Sequence, residues 1–138
     1  MDKRTRVLSA LNKKPVDHPP VGFWYHFAGE QAQGEGCVQA HLDYYRDTDL
    51  DFVKIMCDGY FNYPIPAEIK NAEDWWNLKP LGKDHPFIQE QVWRAKRIVE
   101  EVGKECCVFY NVFAPFSSIR FGYPEDKVME HIRENKLA

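Results

Sequence analysis

The chain has 138 residues, with 18 Lys and Arg against 21 Asp and Glu, a net charge of -3 when its five histidines are neutral. Its 44% hydrophobic and 28% charged residues are the composition of a globular chain, not a disordered one, and the length suits one domain, 1–138. Basic residues are scattered, with no run longer than two, as in Lys3-Arg4 and Lys13-Lys14, so the footprint of a nucleic-acid binder is missing, and no apolar run approaches the ~20 residues of a membrane span.

The first element in chain order is a helix over Asp2 to Asn12, with Val7, Leu8 and Leu11 on its buried face and Lys3, Arg4 and Arg6 in water. Pro15 stops it, since proline lacks an N–H and disfavours helix in the residue before it. Val21 to Phe27, bounded by prolines and by Ala28-Gly29, reads as the first strand, with Gly22, Trp24 and His26 on one face and Phe23 and Tyr25 on the other. Gly34 and Gly36 mark a loop, after which Val38, Leu42 and Tyr45 fall at helical spacing. Leu50 to Cys57 is the second strand, apolar except for Asp51 and Lys54, and stops at the turn signal Asp58-Gly59.

The "YFNYPIP" segment reads as a loop, and Lys70 to Leu78 as a short helix capped by Asn71. Phe87 to Val102 is the strongest helix, with Ile88, Val92, Ala95, Val99 and Val102 on one stripe, Pro86 at its start and Gly103 at its end. Cys106 to Phe113 is a third strand, and "APFSSIRFG" a loop. A last helix begins near Pro124, burying Val128, Met129 and Ile132. Strands that alternate with helices imply parallel pairing.

The four cysteines, Cys37, Cys57, Cys106 and Cys107, form no C-x-x-C pair, and Cys106 and Cys107 point to opposite faces of a strand. They read as reduced thiols packed as small hydrophobes. With no apolar stretch behind the charged "MDKRTR", they set the expectation of a cytoplasmic protein.

Function in parallel α/β folds gathers at the carboxyl ends of strands. That rule points to "YHFAGE", "CDGYFNYP" and "APFSSIRFGYP". His26 is either a proton donor and acceptor or a ring packed among Trp24, Tyr25 and Phe27. Asp58 either holds a cationic or N–H-bearing substrate or bonds its own backbone in the turn. Lys54, unusual inside an apolar strand, either pairs with an interior carboxylate or lies on an exposed edge. Arg120 either grips a substrate carboxylate with its bidentate fork or caps loop carbonyls. Gly-rich phosphate-binding, nucleophile-elbow and H-E-x-x-H motifs are absent, and no His/Cys cluster has metal spacing.

Three stretches, "RVLSALNKKPVDHPPVGFW", "HLDYYRDTDLDFVKIMCDGYF" and "VFYNVFAPFSSIR", resemble in order and spacing the N-terminal part of the uroporphyrinogen decarboxylase superfamily, closest to its decarboxylase-like members. The resemblance implies a partial TIM (β/α)8 barrel, made of a leading helix plus about three parallel strand–helix units, the full barrel needing ~250 residues. It implies a cofactor-free carboxy-lyase acting on a porphyrin-type or related small molecule. Asp58 would be the catalytic group, stabilising a protonated pyrrole, and Trp24, His26, Glu30, Tyr60 and Arg120 would face the substrate.

The family's arginine-bearing R-Q-A-G-R motif is matched here only by Ala28-Gly29. Glu30 stands in place of the second arginine and would repel a polycarboxylate, so the expected substrate differs from uroporphyrinogen. A segment of such a barrel is expected to be inactive alone and to self-associate or depend on the rest of the barrel. The alternatives are a corrinoid-dependent methyltransferase of the same superfamily, whose zinc ligands would lie beyond this segment, a non-catalytic binding or assembly module, and a small doubly wound domain with a ligand at its strand ends.

Overall fold

A computed structural model of the chain describes residues 1–56, 63–65 and 68–135. The described elements are α1 (Lys3–Leu11), a 3-10 turn (Gly29–Ala32), α2 (Gly34–Thr48), β1 (Phe52–Ile55), a second 3-10 turn (Ala72–Asn77), α3 (Pro86–Val102), β2 (Cys107–Tyr110), α4 (Pro115–Gly122) and α5 (Glu125–Glu134). The chain divides into two compact units. The first is Met1–Asp58 with Glu90–Val112, and the second is Gly59–Gln89 with Phe113–Ala138.

In the first unit β1 and β2 pair in parallel, with Phe52 opposite Cys107, Val53 opposite Val108, Lys54 opposite Phe109 and Ile55 opposite Tyr110. The Asn111 N–H extends the ladder to the Ile55 carbonyl at 3.1 Å. Strand alternation sends Val53 and Ile55 to one face, where they pack with Val38, Leu42 and Tyr45 of α2, Ile98 and Val102 of α3, and Leu50 and Cys106. Burial pushes the Cys106 thiol up from its ordinary range. Tyr45 closes the core at one end, its hydroxyl donating to Glu105 at 2.8 Å.

Buried polar groups tie the elements together. Asp2 caps α1 by accepting from the Thr5 N–H at 2.7 Å. Arg6, four residues into α1, is buried. It donates to both Asp17 oxygens at 2.7 and 2.8 Å, to Asp51 Oδ1 at 2.5 Å and to the Met1 carbonyl at 2.6 Å. His41 of α2 has Nδ1 2.8 Å from the Cys37 carbonyl, and its Nε2 accepts the Met56 N–H at 3.2 Å. The ring therefore carries its proton on Nδ1 and anchors the residue that follows β1.

The expected partial barrel is overturned. Among the described residues the sheet has two strands, not three, and each has four residues. Val21 to Phe27, expected to be the first strand, forms no ladder. Val21 does meet the entrance of β1, its carbonyl accepting the Asp51 N–H at 2.9 Å. The Val21 N–H goes instead to the Asp51 carboxylate at 2.8 Å, and Pro19 and Pro20 have no N–H to offer. A side chain takes the place of the carbonyl that would have continued the pairing.

Three helix readings also change. Arg6 is buried while Leu8 and Leu11 are exposed, because two carboxylates compensate the guanidinium. On α3 the buried residues are Gln91, Arg94, Ile98 and Val102, whereas Val92 is 56% and Val99 49% exposed. The buried stripe is turned by about one residue, roughly 100°. Gln91 goes inside because its Oε1 accepts the Tyr110 hydroxyl at 2.7 Å, and Arg94 because Glu90 pairs with it at 2.6 Å. Finally, "APFSSIRFG" is a helix, not a loop, with Pro115 in its first turn.

The second unit holds the 3-10 turn Ala72–Asn77, α4 and α5. Asp74 Oδ2 accepts the backbone N–H groups of Lys70 and Asn71 at 2.8 and 3.0 Å, which fixes the start of that turn. On α5 Val128 and His131 are buried and Met129 is partly exposed, because His131 Nδ1 accepts the Trp75 indole N–H at 3.1 Å. No helix among the described residues is long and apolar enough to cross a membrane.

Candidate functional site

The face of the sheet opposite the core carries Phe52 and Lys54 from β1 and Phe109 from β2. The rings of Phe52 and Phe109 meet edge to face, 5.0 Å apart. With Val7, Ala10 and Leu11 of α1 and with Pro20, Tyr110 and Asn111, these side chains line a groove of about 460 Å³. That volume is within the range of small-molecule sites, roughly 300–1,000 Å³, which are mostly apolar with few polar groups.

Among the described residues Lys54 is the only charged side chain lining the groove. Its Nζ stands 3.7 Å from the centroid of the Trp24 ring, a cation–π contact. Among the described residues it has no ion pair and no hydrogen bond. The ammonium has three N–H donors, and a ring face satisfies one side of it only weakly. An uncompensated cation on an apolar face favours an anion, and the facing rings favour a flat apolar body.

Of the faces expected for 21–27, the pairing of Gly22 with Trp24 on one side holds without a ladder. Gly22 and Trp24 lie against Phe52 and Lys54, and a Cβ on Gly22 would overlap the Phe52 ring. Phe27 turns the other way, its ring 4.9 Å from His41 and 6.2 Å from Tyr44 of α2.

Of the described residues expected at the site, Trp24 meets the groove through its contact with Lys54. His26 is exposed, and so is Glu30 in the 3-10 turn Gly29–Ala32. Asp58 and Tyr60 lie outside the described residues. Arg120, in the last turn of α4, is 3.6 Å from Glu125 within the second unit. Among the described residues Lys54 meets no carboxylate, and its ammonium lies over the Trp24 ring. Its place in an apolar strand was the signal, but the Trp24 contact crosses 30 residues of sequence and no local pattern reports it. Among the described residues no group of three or more His, Cys, Asp or Glu side chains is placed to hold a metal ion.

No protein-family model matches the chain. No curated protein and no solved structure matches it either. The functional reading therefore rests on the groove and on the sequence resemblance.

Proposed function

We propose that the chain serves a decarboxylase-like enzyme of the uroporphyrinogen decarboxylase kind, and that the Lys54 groove receives a small aromatic carboxylate. The observation that supports this reading is the Lys54 ammonium, held over Trp24 on an apolar face with no acidic partner among the described residues. It would pair with the carboxylate while Phe52 and Phe109 take the ring. In the reaction the bond from ring carbon to carboxyl breaks, carbon dioxide leaves, and a proton takes its place on carbon, with no net oxidation. Asp58 is the residue proposed to stabilise the protonated ring. Glu30 and the missing arginines favour a substrate with fewer carboxylates than uroporphyrinogen.

The test uses pyrrole-2-carboxylate, a carboxylated pyrrole ring. Titration calorimetry is expected to give one site per chain, weakened at least tenfold by Lys54→Met. In the full-length enzyme that the resemblance implies, a carboxyl-labelled sample is expected to release labelled carbon dioxide, and Asp58→Asn to abolish the release. Binding unchanged by Lys54→Met overturns the site. Binding without release overturns the lyase and leaves a binding module.

A further inference from the structure

A second apolar site lies wholly within the second unit and has no part in the reading above. Tyr63, Ile65, Trp75, Leu78, Phe113 and Ile119 form most of the wall of a cavity of about 410 Å³. Trp75, Leu78 and Ile119 also wall a smaller cavity of about 200 Å³, whose far side is Phe116, Val128 and Ile132. The two apolar spaces thus adjoin along three shared side chains.

The shared wall is preformed. The Trp75 indole is held by its N–H bond to His131 Nδ1, 3.1 Å, and by edge-to-face contact with Tyr123 at 5.4 Å. A rigid wall lowers the ordering cost of binding. The polar content is small. Ser118 spends its hydroxyl on the Ala114 carbonyl, and among the described residues no acidic side chain lines either cavity. Lys79 lines the larger cavity, is exposed, and has no ion pair or hydrogen bond among the described residues.

We propose that these adjoining cavities bind a fatty carboxylate, a single apolar chain with one anionic head. The chain lies along Trp75, Leu78 and Ile119 with its end among Phe116, Val128 and Ile132, and the carboxylate meets Lys79. Charge complementarity selects the head, and two apolar spaces adjoining at one shared wall select an elongated body over a compact ring.

The probe is 11-bromoundecanoate, whose bromine quenches tryptophan fluorescence at short range, with decanoate as competitor and 1-decanol as its uncharged counterpart. We expect saturable quenching with one site per chain, lost in Trp75→Phe although Trp24, Trp76 and Trp93 remain. Lys79→Gln, a surface change, is expected to weaken decanoate at least fivefold and to leave 1-decanol unchanged. Ile119→Trp fills the shared wall and is expected to abolish both. Lys54→Met is expected to alter none of this, which separates the site from the sheet groove. Quenching that persists in Trp75→Phe overturns the proposal. So does an equal response of decanoate and 1-decanol to Lys79→Gln.

Discussion

Two adjacent residues of α3 test how the helix is turned. Ile98 is fully buried, in contact with the sheet-facing side of the core, whereas Val99 is 49% exposed. The periodicity of apolar residues would bury Val99 in place of Ile98. Ile98→Ala removes three buried carbons, worth about 2.4 kcal/mol at ~0.8 kcal/mol each. The cavity left behind adds to this, and measured large-to-small changes of this kind cost about 2–5 kcal/mol. Val99→Ala removes half-exposed carbon and introduces the best helix former, so its effect should stay within about 0.5 kcal/mol. Urea denaturation followed by far-ultraviolet circular dichroism reads both variants, with the slope checked for constancy so that midpoint shifts report stability. A Val99→Ala cost equal to or larger than that of Ile98→Ala would refute the orientation of α3 and the burial of Gln91 and Arg94 with it.

Three further outcomes are expected. Hydrogen bonds from Arg6, with those from the N-terminus and the His18 N–H, hold the Asp17 carboxyl well below the ordinary carboxylate range. Its contribution to stability is therefore complete above the unfolded pKa of about 4 and is lost as pH falls below that toward the depressed folded value. Asp17→Asn should lower the unfolding midpoint at pH 7 and flatten its fall in acid; an unchanged slope below pH 4 would contradict the pairing. Gly22→Ala should displace the Phe52 ring, seen as shifted aromatic resonances of Phe52 and Phe109, and weaken pyrrole-2-carboxylate with little loss of helix signal; unmoved rings would contradict the close approach. Iodoacetamide mapping of the folded chain should label the half-buried Cys107 well before Cys37 and Cys106, which are buried. Equal rates would mean that the core opens readily.

Local pattern carried much of the architecture. The apolar runs around Val53 and Val108 placed both strands, and Val38, Leu42 and Tyr45 placed α2, because period and burial are properties of neighbours in sequence. Hydrophobicity alone placed Val7, Val102 and Val128 inside, but it missed the buried polar residues. Arg6, Gln91 and His131 go inside because a partner meets them, and the partners Asp51, Tyr110 and Trp75 stand far away in the chain, whereas Arg94 goes inside against Glu90 one helical turn away. The expected first strand failed for a related reason, since Asp51 spends its carboxylate on the one donor that pairing needed. Of the candidate site, Trp24 was legible from strand parity, but the Lys54 cation that it faces was legible only as an anomaly.

The division of the chain into units has a consequence for dissection. Neither unit is a continuous stretch, because Gly59–Gln89 is threaded between Met1–Asp58 and Glu90–Val112. A proteolytic fragment that keeps all of the first unit, ending at Val112, also keeps Gly59–Gln89 but loses α4 and α5, which carry Ile119, His131 and Ile132. The retained Trp75 then has no hydrogen-bond acceptor at His131, and the apolar side chains Ile65 and Leu78 lose their covering. Cleavage near residue 112 would therefore leave a body able to keep its β1–β2 ladder while exposing a sticky insert. Such a fragment is expected to aggregate at concentrations where the intact chain does not.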